Sequence, residues 1–384
     1  MSEQLPELVA AATAEQPGAR AALAAALRRG PSHAYSFVGP TGSGKAAAAR
    51  AFAAELLAVD SRDPGEARRR ALADPSPHPD LTWLRPPGNQ HLVEDVRRDV
   101  IGAVAYRPFE AARRVFVIEA ADAMAEESQN ALLKTLEEPP GYAHLILITA
   151  EPAALLETVR SRCSPIAFAP LPPESLQRRL AAEFPGHSPE ELAALAALAG
   201  GDLGRARLLG SPTGSRLRAH AEAAARAAIA GELAGRVWAD LLALAAESGK
   251  LRADVVKEAA RERADEFGKG RDATRARREG DEAAKRADRR ARTDAIDLGL
   301  GLVAAWFADL AAIGEGASEA VRNVDRTEQL TADARRVAPI AARQAAELAM
   351  DTRRRLQVNV NEDLALDALF HRVAALIGDA GAVV

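Results

Sequence analysis

Residues 39–50 read GPTGSGKAAAAR, most of a phosphate-binding loop that lacks one side-chain oxygen such a loop normally supplies. A Gly-rich turn between an apolar strand and a helix lets backbone N–H groups converge on phosphate oxygens, and the helix N-terminus adds a favourable field. Gly39, Gly42, Gly44 and Lys45 fit that pattern. Before them YSFVG (35–39) reads as a short buried strand, and after them KAAAARAFAAELLA (45–58) is helical by propensity and apolar spacing. The flanks favour a true phosphate loop over a chance turn of glycines. Directly after the lysine, where Ser or Thr would coordinate the magnesium that bridges the outer phosphates, stands Ala46. The stretch predicts a loop that binds, or descends from one that bound, a nucleoside triphosphate, with poor provision for the metal.

Working outward, four more strand-like runs follow: LTWL (81–84), RVFVIEA (114–120), HLILITA (144–150) and PIAFAP (165–170). Helical stretches separate them, which predicts an α/β domain with a parallel sheet covered on both faces. Ligands of such sheets sit at the carboxyl ends of the strands, where the loop at 39–45, Glu119 and Thr149 all fall. In VFVIEAADAM (115–124) an apolar strand ends in Glu119, a carboxylate placed to hold magnesium directly or through water. The bland reading is a solvated strand-end acid. In hydrolases of this architecture the next residue is usually a glutamate that polarises the attacking water; here it is Ala120, and general-base help is worth about 10²-fold to 10⁴-fold. Asp122 is the candidate substitute base. Ala46 and Ala120 together predict a site that hydrolyses nucleotide poorly.

ETVRSRCSPIAF (157–168) places Arg160 and Arg162 in a polar turn. Such an arginine is either a surface charge or a finger that stabilises a transferring phosphoryl group in a neighbouring subunit.

The chain has 384 residues, enough for two or three domains, and only 4% aromatic residues, so its helices must pack on leucines and small side chains. A formal net charge of -4 provides no global field toward nucleic acid. The single cysteine, Cys163, rules out an internal disulfide or a multi-cysteine zinc site. The start MSEQLPELVA lacks a basic segment followed by an apolar core, and the most apolar stretch, LGLGLVAAWFADLAAIG (298–314), is short and interrupted by Asp309. The expectation is a cytoplasmic protein without signal peptide or membrane span. Three domains are expected: 1–168, nucleotide-binding; 169–213, a small helical region; and 214–384, all helical, with a densely charged segment at 257–294 that reads as a solvated helix or, more sharply, a DNA-facing surface.

HAYSFVGPTGSGKAAAARAFAAELL (33–57), HPDLTWL (78–84), VFVIEAADAMAEESQNALLKTLEEPP (115–140), LILITAEPAALLETVRSRC (145–163) and NVNEDLALDALF (359–370) together resemble the AAA+ subunits of the bacterial DNA polymerase III clamp loader. SQNALLKTLEEPP and SRC are the specific elements. The resemblance implies an AAA+ domain, a helical lid and a C-terminal helical collar that assembles with motor and delta subunits to place the sliding clamp on primed DNA. It implies that Arg162, the SRC arginine, acts in trans on an adjacent motor subunit's ATP site. Thr149 matches a sensor near the γ-phosphate and Arg205, in GGDLGRARLL (200–209), a lid arginine that reports nucleotide occupancy. Stator-type members have a weakened or absent ATPase, which suits Ala46 and Ala120. Many members also carry a cysteine-bound zinc module where this chain has VDSRDPGEARRRALADPSPHPDL (59–81), with no cysteine. ATP is thus the expected cofactor, zinc is not, and no membrane contact is implied. The competing readings are an ATP-hydrolysing motor subunit or other AAA+ ATPase, which would keep Ser or Thr at 46 and an Asp-Glu pair at 119 and 120, and a small-molecule P-loop kinase.

Overall fold

Five runs rich in Val, Ile, Leu and Phe pair into one sheet: β1 (Ala34–Val38), β2 (Leu81–Leu84), β3 (Arg114–Ile118), β4 (Ala143–Thr149) and β5 (Ser164–Ala167), in the order β2-β3-β4-β1-β5. Every pairing is parallel. The computed structural model describes residues 5–86, 90–266, 268, 270–356 and 360–381. β3 and β4 are buried along their whole length, which is why they read as continuous apolar runs rather than alternating ones. Successive side chains still divide between two cores. Val115, Val117, Ile146 and Ile148 join Phe37 and Phe52 on one face, and Phe116, Ile118, Leu145 and Leu147 join Leu132 and Val159 on the other. The helix Lys45–Ala58 covers the first face with Ala48, Ala49, Phe52 and Leu56, all fully buried.

The chain divides into two units. The first runs to Pro172 and takes in Gly201–Leu203; the second holds Pro173–Gly200 and the chain from Gly204 onward.

In the first unit, the cysteine-free segment after the loop helix forms the helix Pro64–Leu72, capped by Asp63, whose carboxylate accepts from the Glu66 N–H (3.0 Å). Charge pairs tie it down. Arg68 forks onto Glu55 (3.0 and 2.9 Å), Arg70 meets Glu110 (2.7 Å), and Arg85 forks onto Asp74 (3.0 and 2.7 Å).

The second unit is helical among its described residues. Pro189–Ala199 opens with a capping box, Ser188 accepting from Glu191 N (3.1 Å) and Glu191 accepting from Ser188 N (2.8 Å). Farther on, Ala239–Glu266 and Arg271–Gly314 form a long antiparallel hairpin. The charged segment 257–294 is the outer part of that hairpin; residues 267 and 269 lie outside the described residues. The apolar stretch 298–314 is the inner part. Its helix is long and apolar enough to cross a membrane by length and composition alone, yet 72% of that window is buried inside the fold. Trp306, Phe307 and Leu310 pack there, and Asp309, 1% exposed, accepts from Arg322 N (3.1 Å), Asn323 N (2.8 Å) and Asn323 Nδ2 (2.8 Å). The helix Glu362–Gly381 carries most of the NVNEDLALDALF match; its first residue, Asn359, lies outside the described residues.

Candidate functional site

Because all strands run the same way, the ends of β1, β3 and β4 bring the phosphate loop, Glu119 and Thr149 to one edge of the sheet. Val38 pairs with Thr149, and Gly39 N donates to Thr149 O (3.3 Å). The loop then turns through positive φ to the helix beginning at Lys45. At Gly42 a β-carbon would lie 1.9 Å from Asp202 Oδ1, so glycine is required by space as well as by its φ of 72°. Gly44, at φ 93°, has open space where its β-carbon would be. Gln16, 4% exposed, braces the loop from outside: its amide donates to Ser43 O (3.0 Å) and Ala169 O (2.7 Å) and accepts from Ala169 N (2.9 Å).

Lys45 is 6% exposed, and its ammonium donates to the loop's own carbonyls, Gly39 O and Pro40 O (2.6 Å for the latter). Burial pulls its pKa below the ordinary lysine value, against the attraction of Asp122, Asp202 and Glu119. Ser43 Oγ and Thr149 Oγ1 are wholly buried and have no hydrogen-bond partner among the described residues. A cradle of glycines, a buried ammonium and two orphan hydroxyls fit an anionic phosphate. Gly42, Ser43, Gly44 and Lys45 are the residues that would hold it, with Thr149 at the adjoining strand end.

The metal half does not fit. Ala46 packs its methyl against the apolar core. Glu119 spends one carboxylate oxygen on two donors, Trp83 Nε1 (2.8 Å) and Arg85 Nε (2.8 Å). Among the described residues no group of three or more His, Cys, Asp or Glu side chains is arranged to hold a metal ion. Asp122 accepts from Ala150 N (3.3 Å), so it spans the ends of β3 and β4. Ala120 sits in the left-handed region at φ 51°, ψ 53°, and brings no carboxylate.

Away from the loop, Arg162 stands exposed on the turn after the short helix Glu157–Arg160, donating to Thr158 O (2.8 Å) and to Glu137 Oε1 (2.6 Å). Arg160 is exposed beside it. The turn backs onto Cys163, whose thiol burial pushes up to about 12. Arg205 lies on Leu203–Gly210 and lines a cavity of about 640 Å³ in the second unit, together with Arg322, Arg343 and Arg353.

Sequence reasoning singled out the loop, Glu119, Thr149 and Arg162 and did not single out Gln16, Asp202 or the Trp83–Arg85 pair, which the structure places against the loop and Glu119. Gln16 and Asp202 reach the loop from far along the chain, and no local pattern marks them. Trp83 had one signal available in the sequence: it stands one residue from the end of the strand-like run LTWL.

Residues 16–172 match the family model described as DNA polymerase III, delta subunit. DNA polymerase III subunit delta' of Pseudomonas aeruginosa is 38% identical over 174 residues, 44% of this chain and 53% of that protein. The Bacillus subtilis protein of the same name is 34% identical over 155 residues, 39% of this chain and 46% of that protein. The chain thus spans about half the length of the curated relatives it matches. A solved structure of a DNA polymerase III gamma subunit-related protein from Thermotoga maritima aligns over 94% of this chain and 99% of that one, with a TM-score of 0.39 and 16% identity.

Proposed function

We propose that this chain, whose residues 16–172 match the DNA polymerase III delta-subunit family model, serves as a delta'-type stator of the clamp loader, contributing Arg162 to the ATP site of an adjacent motor subunit while its own site turns over little or no ATP. In this reading the first unit is the AAA+ domain, the segment to about residue 213 a lid, and the remainder a collar that holds motor and delta subunits together. The assembled complex then opens the sliding clamp and closes it on primed DNA.

One observation carries the reading. The chain's own site keeps a phosphate cradle but lacks the metal hydroxyl at Ala46 and the base at Ala120, while Arg162 stands outward on a turn, held by a carboxylate that is itself half exposed. A guanidinium in that position can exchange Glu137 for a partner's phosphate, because a surface pair of this kind is worth only about 0–1 kcal/mol. Arginine suits the task through its planar fork of donors and permanent charge.

The test is the DNA- and clamp-stimulated ATPase of the reconstituted loader, with wild-type chain or Arg162→Ala. The variant is expected to assemble normally, since its side chain packs no core, and to lose most of the activity; a finger arginine is worth about 10³-fold or more at the site it serves. Unchanged ATPase in an assembled loader would remove the finger and leave a scaffold. Robust hydrolysis by the isolated chain would instead favour a motor subunit.

A further inference from the structure

The cavity of about 640 Å³ that Arg205 lines is a trough between two antiparallel helices of the second unit, Arg271–Gly314 and Pro339–Arg355. Asp297 pairs with Arg353 at one end (2.5 and 2.6 Å). At the other end the helices close up, and a β-carbon on Gly314 would lie 2.6 Å from Pro339 Cγ. Gly301, Ala304, Ala305 and Ala308 of the first helix and Ala346 and Met350 of the second line the floor. Their three- and four-residue steps put them on one face of each helix, and from Asp297 to Ala308 that face runs about 16 Å at 1.5 Å per residue. Space is left above it: a β-carbon on Gly301 would meet no neighbouring atom within 4 Å. Every cation in the lining is an arginine, and their charge is unevenly balanced. Arg353 is neutralised by Asp297. Arg322 is exposed and makes no ion pair among the described residues, and its backbone N–H donates to Asp309 Oδ1 (3.1 Å), which fixes it at the Ala308 end. Arg343 stands at that end as well, paired with the exposed Glu315.

We propose that this trough docks an acidic amphipathic helix of a partner protein, its apolar side on the floor of small residues and its carboxylates on Arg322 and Arg343. A floor of glycine and alanine lets a second helix approach closely, and an apolar face with anchors three and four residues apart is what a groove between helices reads. Guanidiniums take carboxylates as planar, two-pronged pairs. The surface pair of Arg343 with Glu315 is weak enough to exchange for a partner's carboxylate. Nucleic acid suits the trough less well. No aromatic side chain lines it, so nothing there stacks a base. Asp297 and Glu347 also interrupt the positive field that an evenly charged phosphate backbone would follow. The inference uses neither the phosphate loop nor Arg162.

The experiment is fluorescence anisotropy of the full chain with a fluorescein-labelled helical peptide in which leucine and alanine recur at three- and four-residue steps and glutamate fills the other positions. Wild type is expected to bind it and to ignore the same peptide with lysine in place of glutamate. Gly301→Leu sends a side chain into the open space above the floor and raises helix propensity, so it blocks the trough without emptying a core. That variant, and separately the pair Arg322→Glu with Arg343→Glu, should each weaken binding by about tenfold or more, the scale of a well-placed interfacial arginine. A thermal melt of each variant verifies the fold. Failure of wild type to bind overturns the proposal, as does binding that Gly301→Leu leaves unchanged. Single-stranded oligothymidylate that binds with the same sensitivity to both variants would assign the trough to nucleic acid and overturn it too.

Discussion

Ala120 pays a local backbone penalty that glycine would not. At φ 51° its β-carbon crowds the following carbonyl, a conformation that costs an L-residue about 1–2 kcal/mol. It persists because the turn is held on both sides: Ala123 N donates to Ala120 O (2.9 Å), and His91 Nε2 bonds Glu119 O (2.7 Å). Ala120→Gly should therefore stabilise the first unit, by about 0.5–1 kcal/mol after the extra freedom of glycine in the unfolded chain is subtracted. Urea midpoints of the two proteins measure this, and a lower midpoint for the glycine variant would show that the turn carries no strain. At the same scale, the letters at 46 and 120 were informative because each reports a missing atom. The orientation of Glu119 was not legible, because its partners Trp83 and Arg85 lie 36 and 34 residues away and reach it only through the pairing of β2 with β3.

The long hairpin shows what decides an element. Its charged outer part makes pairs such as Arg261 with Glu258, Arg277 with Asp265 and Arg278 with Glu282, all well exposed. Each such pair contributes about 0–1 kcal/mol, so the charges keep the surface solvated more than they hold the helices together. The seam between the helices is made of small residues: Ala264, Ala273 and Ala284 are buried, and a β-carbon on Gly280 would lie 2.2 Å from the Ala260 β-carbon. That contact reverses an ordinary rule. Gly→Ala inside a helix normally gains about 1 kcal/mol, whereas Gly280→Ala should cost about 1–3 kcal/mol by forcing the two helices apart. Thermal melts followed by circular dichroism decide the sign, and a raised midpoint would mean the helices separate freely there. The same segment read from sequence as a solvated helix or a DNA-facing surface; its charge pattern describes the outer faces and says nothing of the glycine on the inner one.

At the scale of the molecule, histidines of the first unit that fold in their neutral form make stability depend on pH. His78, His91 and His144 are 2%, 3% and 3% exposed, and burial pulls each pKa below the ordinary 6.5. The unfolded chain therefore binds protons first as the pH falls. Their contribution is complete above about pH 6.5 and is lost as the pH drops below it through the lowered values. Melting of the chain at pH 7.5, 6.5 and 5.5 should show midpoints that hold between the first two and fall at the third. His144→Gln, which can keep a donor toward Ser32 O (2.9 Å from Nδ1), should soften that fall, and a midpoint indifferent to pH would rule out the histidines as its cause.

The sequence by itself determined the parallel α/β class, the positions of its strands to within one to three residues, and the phosphate loop. It did so because these depend on local quantities: runs of apolar side chains, glycines that permit positive φ, and the period that separates helix from strand. Which donors claim Glu119, which side chains share the cavity that Arg205 lines and what pairs with Arg162 were settled only in three dimensions. A side chain's partner is chosen by proximity through space, and a carboxylate or guanidinium takes whichever opposite charge the packing of sheet and helices brings within hydrogen-bond reach.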